Sequence, residues 1–266
     1  MGCAADNGVM TAPTVTATVQ DSIGVLTFEA PERRNPLSLA TMRDATERLR
    51  AFGADPAVRV IVIKASGPAF SAGHDLSEMV DRTLDDEREI FAACADLMST
   101  VHAVRQPVIA QVQGMALAAG CQLVATCDLA VAADTARFST PGVRIGLFCS
   151  TPMIPLSRAI GRKRAMQMLL TGDMIEAATA VDWGLINEAV PGEALEATVA
   201  DLAARIGQFS GDTLAIGKRA FYDQIDRTEP EAYAQMSEVM SQNAMTADAQ
   251  EGMSAFLGKR APVWTS

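Results

Sequence analysis

Two stretches of the chain set small residues between a strand pattern and a helix start, and both can turn backbone N–H groups toward a ligand. The first is "IVIKASGPAFSAGHDLSEM", Ile61 to Met79, and the second is "VQGMALAAGCQLVATCDLAVA", Val112 to Ala132. The first N–H groups of a helix have no intrahelical partner and can face an anion or a developing oxyanion. Two such junctions converging on one carbonyl would form an oxyanion hole, each donor contributing about 3 kcal/mol. Close packing alone is the plainer account of either loop taken singly. Two side chains within these stretches add chemistry, the His74 imidazole, which ordinarily titrates near neutrality, and the Gln122 amide; further along the chain stand a Cys149 thiol or thiolate and a Ser150 hydroxyl. Each also has a structural alternative. His74 could serve through its backbone alone, Cys149 could be a buried small residue, and Ser150 could cap the helix running through "PMIPLSRAIG". His102 reads most simply as a partly buried residue near a helix C-terminus.

The elements that must hold these residues follow from periodicity. "TVTATVQDSIGVLTFEAP" alternates around Asp21 to Gly24, which predicts a hairpin. "PLSLATMRDATERLRAFGAD" predicts a helix capped by Ser38, with Leu39, Met42, Ala45 and Leu49 on one face and Gly53 as its stop. "VRVIVIKAS" is a nearly continuous apolar run, the pattern of a strand covered on both faces. A helix over 86–104, a strand at "PVIAQVQG", a helix over 118–125 and a strand at "CDLAVAA" follow, so a parallel core sheet with right-handed crossovers is expected. Beyond about Ser150 the patterns are helical, and no sequence repeat is visible. The expected division is a disordered leader over 1–14, an α/β core over 15–200 and a helical C-terminal region over 201–266.

Composition narrows the partners. The 266 residues carry a net charge of −10 with scattered basic residues, which argues against a nucleic-acid partner. Five cysteines, Cys3, Cys94, Cys121, Cys127 and Cys149, form no CxxC pair, and with two histidines they offer no zinc spacing, so no metal is expected. They read as free thiols. No apolar run reaches membrane-span length, so no membrane partner is expected, and "MGCAADNGVMTAPT" lacks the regions of a signal peptide. A cytoplasmic protein is the expectation from these features.

The motifs "PERRNPLS", "AFSAGHDLSEM", "GMALAAGCQLVATCDLAVAA" and "GRKRAMQMLLTGDMIEAATAVDWGLINEAVP", with the spacing between them, resemble the enoyl-CoA hydratase/isomerase family, also called the crotonase family, from about Val15 to Trp264. "PGVRIGLFCSTP" and "QEGMSAFLGKRAPVW" are most similar to its subgroup known as enoyl-CoA hydratase domain-containing protein 3 and bacterial relatives. The resemblance implies an α/β fold, a crotonase-like spiral of ββα units, with a helical C-terminal region that assembles a homotrimer or homohexamer. It implies an acyl-CoA thioester as substrate and no tightly bound cofactor. The family's two oxyanion donors fall on the backbone N–H groups of His74 and Ala119.

Its two hydratase glutamates fall on Gln122 and Gly142, so both are absent, and standard hydration should be weak or nil. Other members place an acid or base at positions that fall on Cys149 and Ser150, and decarboxylating members carry His in the "SAGHD" turn. For the CoA end, Arg33 and Arg34, the backbone of Ala72, His74, Asp75 and Leu76, and Lys218 with Phe221 on a C-terminal helix match. Asp75 also reads as the cap of a short helix from Leu76. Isomerisation, decarboxylation, thioester hydrolysis and non-catalytic acyl-CoA binding all stay open.

Overall fold

The computed structural model describes residues 14–265; the expected leader and Cys3 fall outside them, apart from Thr14. Strands β1 (Val15–Gln20) and β2 (Ile23–Phe28) form the expected antiparallel hairpin. Its two turn residues, Asp21 and Ser22, have φ of 49° and 65°, the left-handed pair that suits a tight hairpin. Helix α1 (Leu39–Ala54) starts at Ser38, whose side chain accepts from the Thr41 N–H at 3.1 Å. It runs through Gly53 rather than stopping there. A β-carbon on Gly53 would stand 3.0 Å from the Val104 side chain, so the glycine admits a neighbour and does not end the helix.

Strand β3 (Val60–Ala65) is covered on both faces as predicted. Ile61 and Ile63 join the main core, while Val60 and Val62 join a second cluster. The chain continues through β4 (Ala69–Ser71), α2 (Leu84–Ala103), β5 (Val108–Val112), β6 (Met115–Leu117), α3 (Ala119–Thr126), β7 (Leu129–Ala133), β8 (Arg137–Ser139) and α4 (Met153–Ala159). Then come α5 (Arg162–Thr171), β9 (Ile175–Glu176), α6 (Ala177–Trp183), β10 (Glu188–Val190) and α7 (Leu195–Gly207). Leu195, Val199 and Ala203 of α7 complete the second cluster and cover the outer face of β3.

Among the described residues the strands form two sheets, ordered β1-β2-β3-β5-β7-β10 and β4-β6-β8-β9. In the first, every pairing from β2 to β10 is parallel. Each of β3, β5 and β7 is followed within a few residues by a short strand of the second sheet and then by a helix. This is the ββα spiral, repeated in architecture without any repeat in sequence. It carries the chain out of the main sheet at the same place each turn, so the segments after β4 and β6 lie side by side. Helices α8 (Gly211–Gln224), α9 (Glu229–Ala244) and α10 (Ala247–Leu257) close the chain.

Candidate active site

The two junction loops meet because each has lost the side chain that would keep them apart. A β-carbon on Gly73, whose φ is 96°, would stand 2.9 Å from the Ala118 Cβ and 3.1 Å from the Leu117 carbonyl oxygen. A β-carbon on Gly120 would stand 2.7 Å from both the Ser71 Cβ and the Ser71 carbonyl oxygen. Ala118 itself sits at φ 47°, ψ −115°, a region that costs an L-residue about 1–3 kcal/mol.

Other backbone groups hold the loops in place. The Ala118 N–H donates to Ser139 O at 2.9 Å, Ala72 N–H to Arg34 O at 2.9 Å, and Leu37 N–H to Gly73 O at 2.8 Å. The N–H groups of His74 and Ala119 take no part in these bonds, and Ala119 is the first residue of α3. Asn35 is a residue that the sequence reading passed over. It is buried at φ 52°, accepts from Ala30 N–H at 2.8 Å and donates to Ser66 O and Ala69 O at 2.9 and 2.8 Å, which fixes the approach to the first loop. Its signal was its type, since Asn tolerates positive φ and can bond backbone on both sides.

Both loops open into one cavity of about 630 Å³. It gathers Arg33, Ala72, His74, Asp75, Leu76, Ala119, Gly142, Cys149 and Ser150. The His74 ring packs edge-on against Phe91, with centroids 5.4 Å apart, and neither buried ring nitrogen has a hydrogen-bond partner. Burial holds its pKa below the ordinary imidazole value, against the opposite pull of the Leu37 backbone and Glu78, so the ring is neutral at pH 7. Asp75 caps the short helix as expected, accepting from Ser77 N–H at 3.1 Å, and pairs with Arg33. Burial pushes the Asp75 carboxyl up, but the Ser77 and Arg33 hydrogen bonds outweigh that and hold it below the usual range.

Several expectations change here. Burial pushes the Cys149 thiol up, so the thiolate alternative gives way to a neutral thiol. Ser150 does not cap α4: the cap position is Pro152, and the Ser150 hydroxyl donates at 3.4 Å to Phe148 O. Gly142 is closed off by space. A β-carbon there would overlap the Leu147 carbonyl oxygen and stand 2.8 Å from Cys149 Sγ. Arg34 is exposed at φ 60°, and it is not among the residues lining this cavity.

Gln122, Lys218 and Phe221 lie elsewhere. Gln122, 4% exposed, lines a second cavity of about 820 Å³, as does Phe221, and its Oε1 accepts a long, weak bond from Cys94 Sγ at 3.8 Å. The Lys218 side chain, 6% exposed, pairs with Asp128 Oδ2 at 2.7 Å and donates to Val101 O and Gln106 O at 2.7 and 2.9 Å. Burial lowers its pKa against the pull of Asp128. This ammonium ties α8 to the core and is not free to meet a phosphate, which corrects its assignment to the CoA end. The first cavity therefore offers small-residue backbone, a neutral imidazole, a neutral thiol and one carboxylate already engaged by Arg33.

The profile of the family described as Enoyl-CoA hydratase/isomerase matches residues 18–266. "Enoyl-CoA hydratase domain-containing protein 3, mitochondrial" of Mus musculus is 42% identical over 266 residues, covering 99% of this chain and 89% of its own length. The crystal structure of an enoyl-CoA hydratase from Mycobacterium smegmatis superposes with a TM-score of 0.93 at 41% identity, covering 96% of this chain and 100% of that one. That of human enoyl-CoA hydratase domain-containing protein 3 gives 0.93 at 41% identity, covering 95% and 100%. The subgroup seen in the motifs and the spiral fold both stand. The cytoplasmic expectation does not: the mouse relative is named as mitochondrial. Cysteine spacing and the absence of a long apolar run carry no address. No helix of the described residues is long and apolar enough to cross a membrane.

Proposed function

The chain belongs to the enoyl-CoA hydratase/isomerase family, and from that premise we propose that it processes an acyl-CoA thioester in the first cavity without the paired-glutamate hydration chemistry. The thioester oxygen lies between the N–H groups of His74 and Ala119, which stabilise an enolate-like state by about 3 kcal/mol per donor. Small residues around both donors let the carbonyl approach, and the absence of a charged side chain at Ala118 to Cys121 leaves the stabilisation to backbone dipoles. Arg33 and the backbone of Ala72, Asp75 and Leu76 receive the CoA end, which enters as part of the substrate. Residues 15–200 then form the acyl-CoA-binding core, and 201–266 the region of self-association.

The observation that carries this reading is the closure of Gly142 by Leu147 O and Cys149 Sγ. A glutamate there has nowhere to stand, so the second acid/base group is excluded by the backbone and not merely missing from the sequence. Gln122 cannot substitute for the first, because an amide neither gives up nor takes a proton near neutral pH.

Two measurements test the proposal. Hydration of crotonyl-CoA, followed by loss of enoyl-thioester absorbance, should run about 10²- to 10⁴-fold below the rate of an enzyme with its acid/base groups in place, and Gln122→Glu alone should not restore it. Fast hydration by the unaltered chain would refute the chemistry. Infrared difference spectra of a carbonyl-labelled acyl-CoA should show its C=O stretch shifted to lower frequency on binding. An unshifted stretch in a saturated complex would refute the placement of the donors.

A further inference from the structure

The second cavity adjoins the first across one turn of α3. Ala119 lines the first, Gln122 lines the second three residues later on the same helical face, and Thr151 lines both. His102 of α2 lines the second cavity, stacked on Tyr222 of α8 with ring centroids 3.9 Å apart. His102 Nε2 lies 2.9 Å from Thr126 O. A carbonyl oxygen only accepts, so Nε2 carries the proton and Nδ1 is left as a bare acceptor. Among the described residues Nδ1 has no partner. Two ionisable neighbours of the ring are engaged with each other and with Lys218: the Tyr222 hydroxyl donates to Asp128 Oδ1 at 2.7 Å, and Asp128 Oδ2 takes Lys218.

We infer that this cavity receives the distal part of the acyl chain, and that the chain it fits ends in a hydrogen-bond donor, a hydroxyl, taken by His102 Nδ1. The inference rests on the acyl-CoA reading of the first cavity. A plain alkyl end would displace water from Nδ1 and return nothing, whereas a hydroxyl replaces the lost bond. Burial keeps the His102 ring neutral, which preserves the acceptor. Length follows from the helix. Ala119 to Thr126 is seven residues, about 10.5 Å of axis at helical rise. At ~1.2 Å per bond of extended chain, that span matches an acyl group of roughly eight to ten carbons.

Calorimetric titration of the full chain with decanoyl-CoA, 10-hydroxydecanoyl-CoA and 10-methoxydecanoyl-CoA tests this. The hydroxy compound should bind about three- to tenfold more tightly than decanoyl-CoA, and the methoxy compound, which accepts but cannot donate, should gain nothing. His102→Phe keeps a ring on Tyr222 and should erase the hydroxyl preference. Should that variant not fold, the hydroxy-to-methoxy comparison in the unaltered chain decides alone. Equal affinity for those two compounds overturns the inference while leaving the acyl-CoA reading intact. Failure of all three to bind overturns both.

Discussion

Helices α1 and α9 are each 16 residues long, and each is capped at its first turn, α1 by Ser38 and α9 through Thr228, whose N–H and hydroxyl donate to the Glu231 carboxylate. Yet α1 buries six residues and α9 buries none. The capping rules and the periodicity write the same helix in both places, and what differs is the partner. Helix α1 lies against β1, β2 and α2, whereas α9 packs on α8 and α10 and leaves Tyr233 and Met240 open. Phe256 of α10 is 83% exposed. Exposed apolar residues of this size are candidates for cover by a second copy of the chain, a reading that sedimentation decides.

The contrast can be broken most forcefully at Lys218. Helix α8 also buries no whole residue, but its Lys218 side chain is the cation of a buried pair. Lys218→Met strands the Asp128 carboxylate and should cost about 3–5 kcal/mol in chemical denaturation. A loss below ~1 kcal/mol would mean that α8 is held by little in the chain. Next, Leu49→Ala in α1 should cost about 2–5 kcal/mol in the same experiment, as expected for a fully buried leucine.

Met240→Ala in α9, by contrast, should stay within ~0.5 kcal/mol when the melt is read on dissociated chains. Met240→Asp with Phe256→Asp should convert the sedimenting species to monomer. If the unaltered chain is already a stable monomer at micromolar concentration, α9 is simply a solvent-facing helix.

The gentlest effect is with pH. Burial lowers the pKa of both His74 and His102 from the ordinary 6.5, so just below that pH the unfolded chain binds more protons than the folded one. Stability should therefore fall as pH drops through 6.5 toward the depressed values, and His74→Phe should flatten the slope of melting temperature against pH.

Helix α1, the doubly covered β3 and the two junction loops were legible in the sequence because each writes its environment into a local pattern: a cap, an apolar run, a cluster of small residues. The second sheet was not. β4, β6 and β8 are three residues each, "AFS", "MAL" and "RFS", and what makes them strands is pairing with one another across tens of residues. Both oxyanion candidates were placed on one cavity, as were Cys149 and Ser150. Lys218 was misread because its type announces a surface cation, while its depth is set by Asp128 ninety residues earlier in the chain. At Gly142 the resemblance implies that a carboxylate is lacking; the position of Leu147 O adds what no local pattern shows, that a side chain there has no room.

Ala118 gives the donor loops a direction in which they can change. Held at φ 47°, ψ −115°, it is a residue for which Ala118→Gly runs downhill in backbone energy, while the reverse step must climb. What that change would remove is the methyl group beside Gly73, 2.9 Å from where a β-carbon would be. That methyl, with Leu117 O and Ala119 N, fills the space that Gly73 faces. Ala118→Gly would thus trade backbone strain for an unfilled space between the loops.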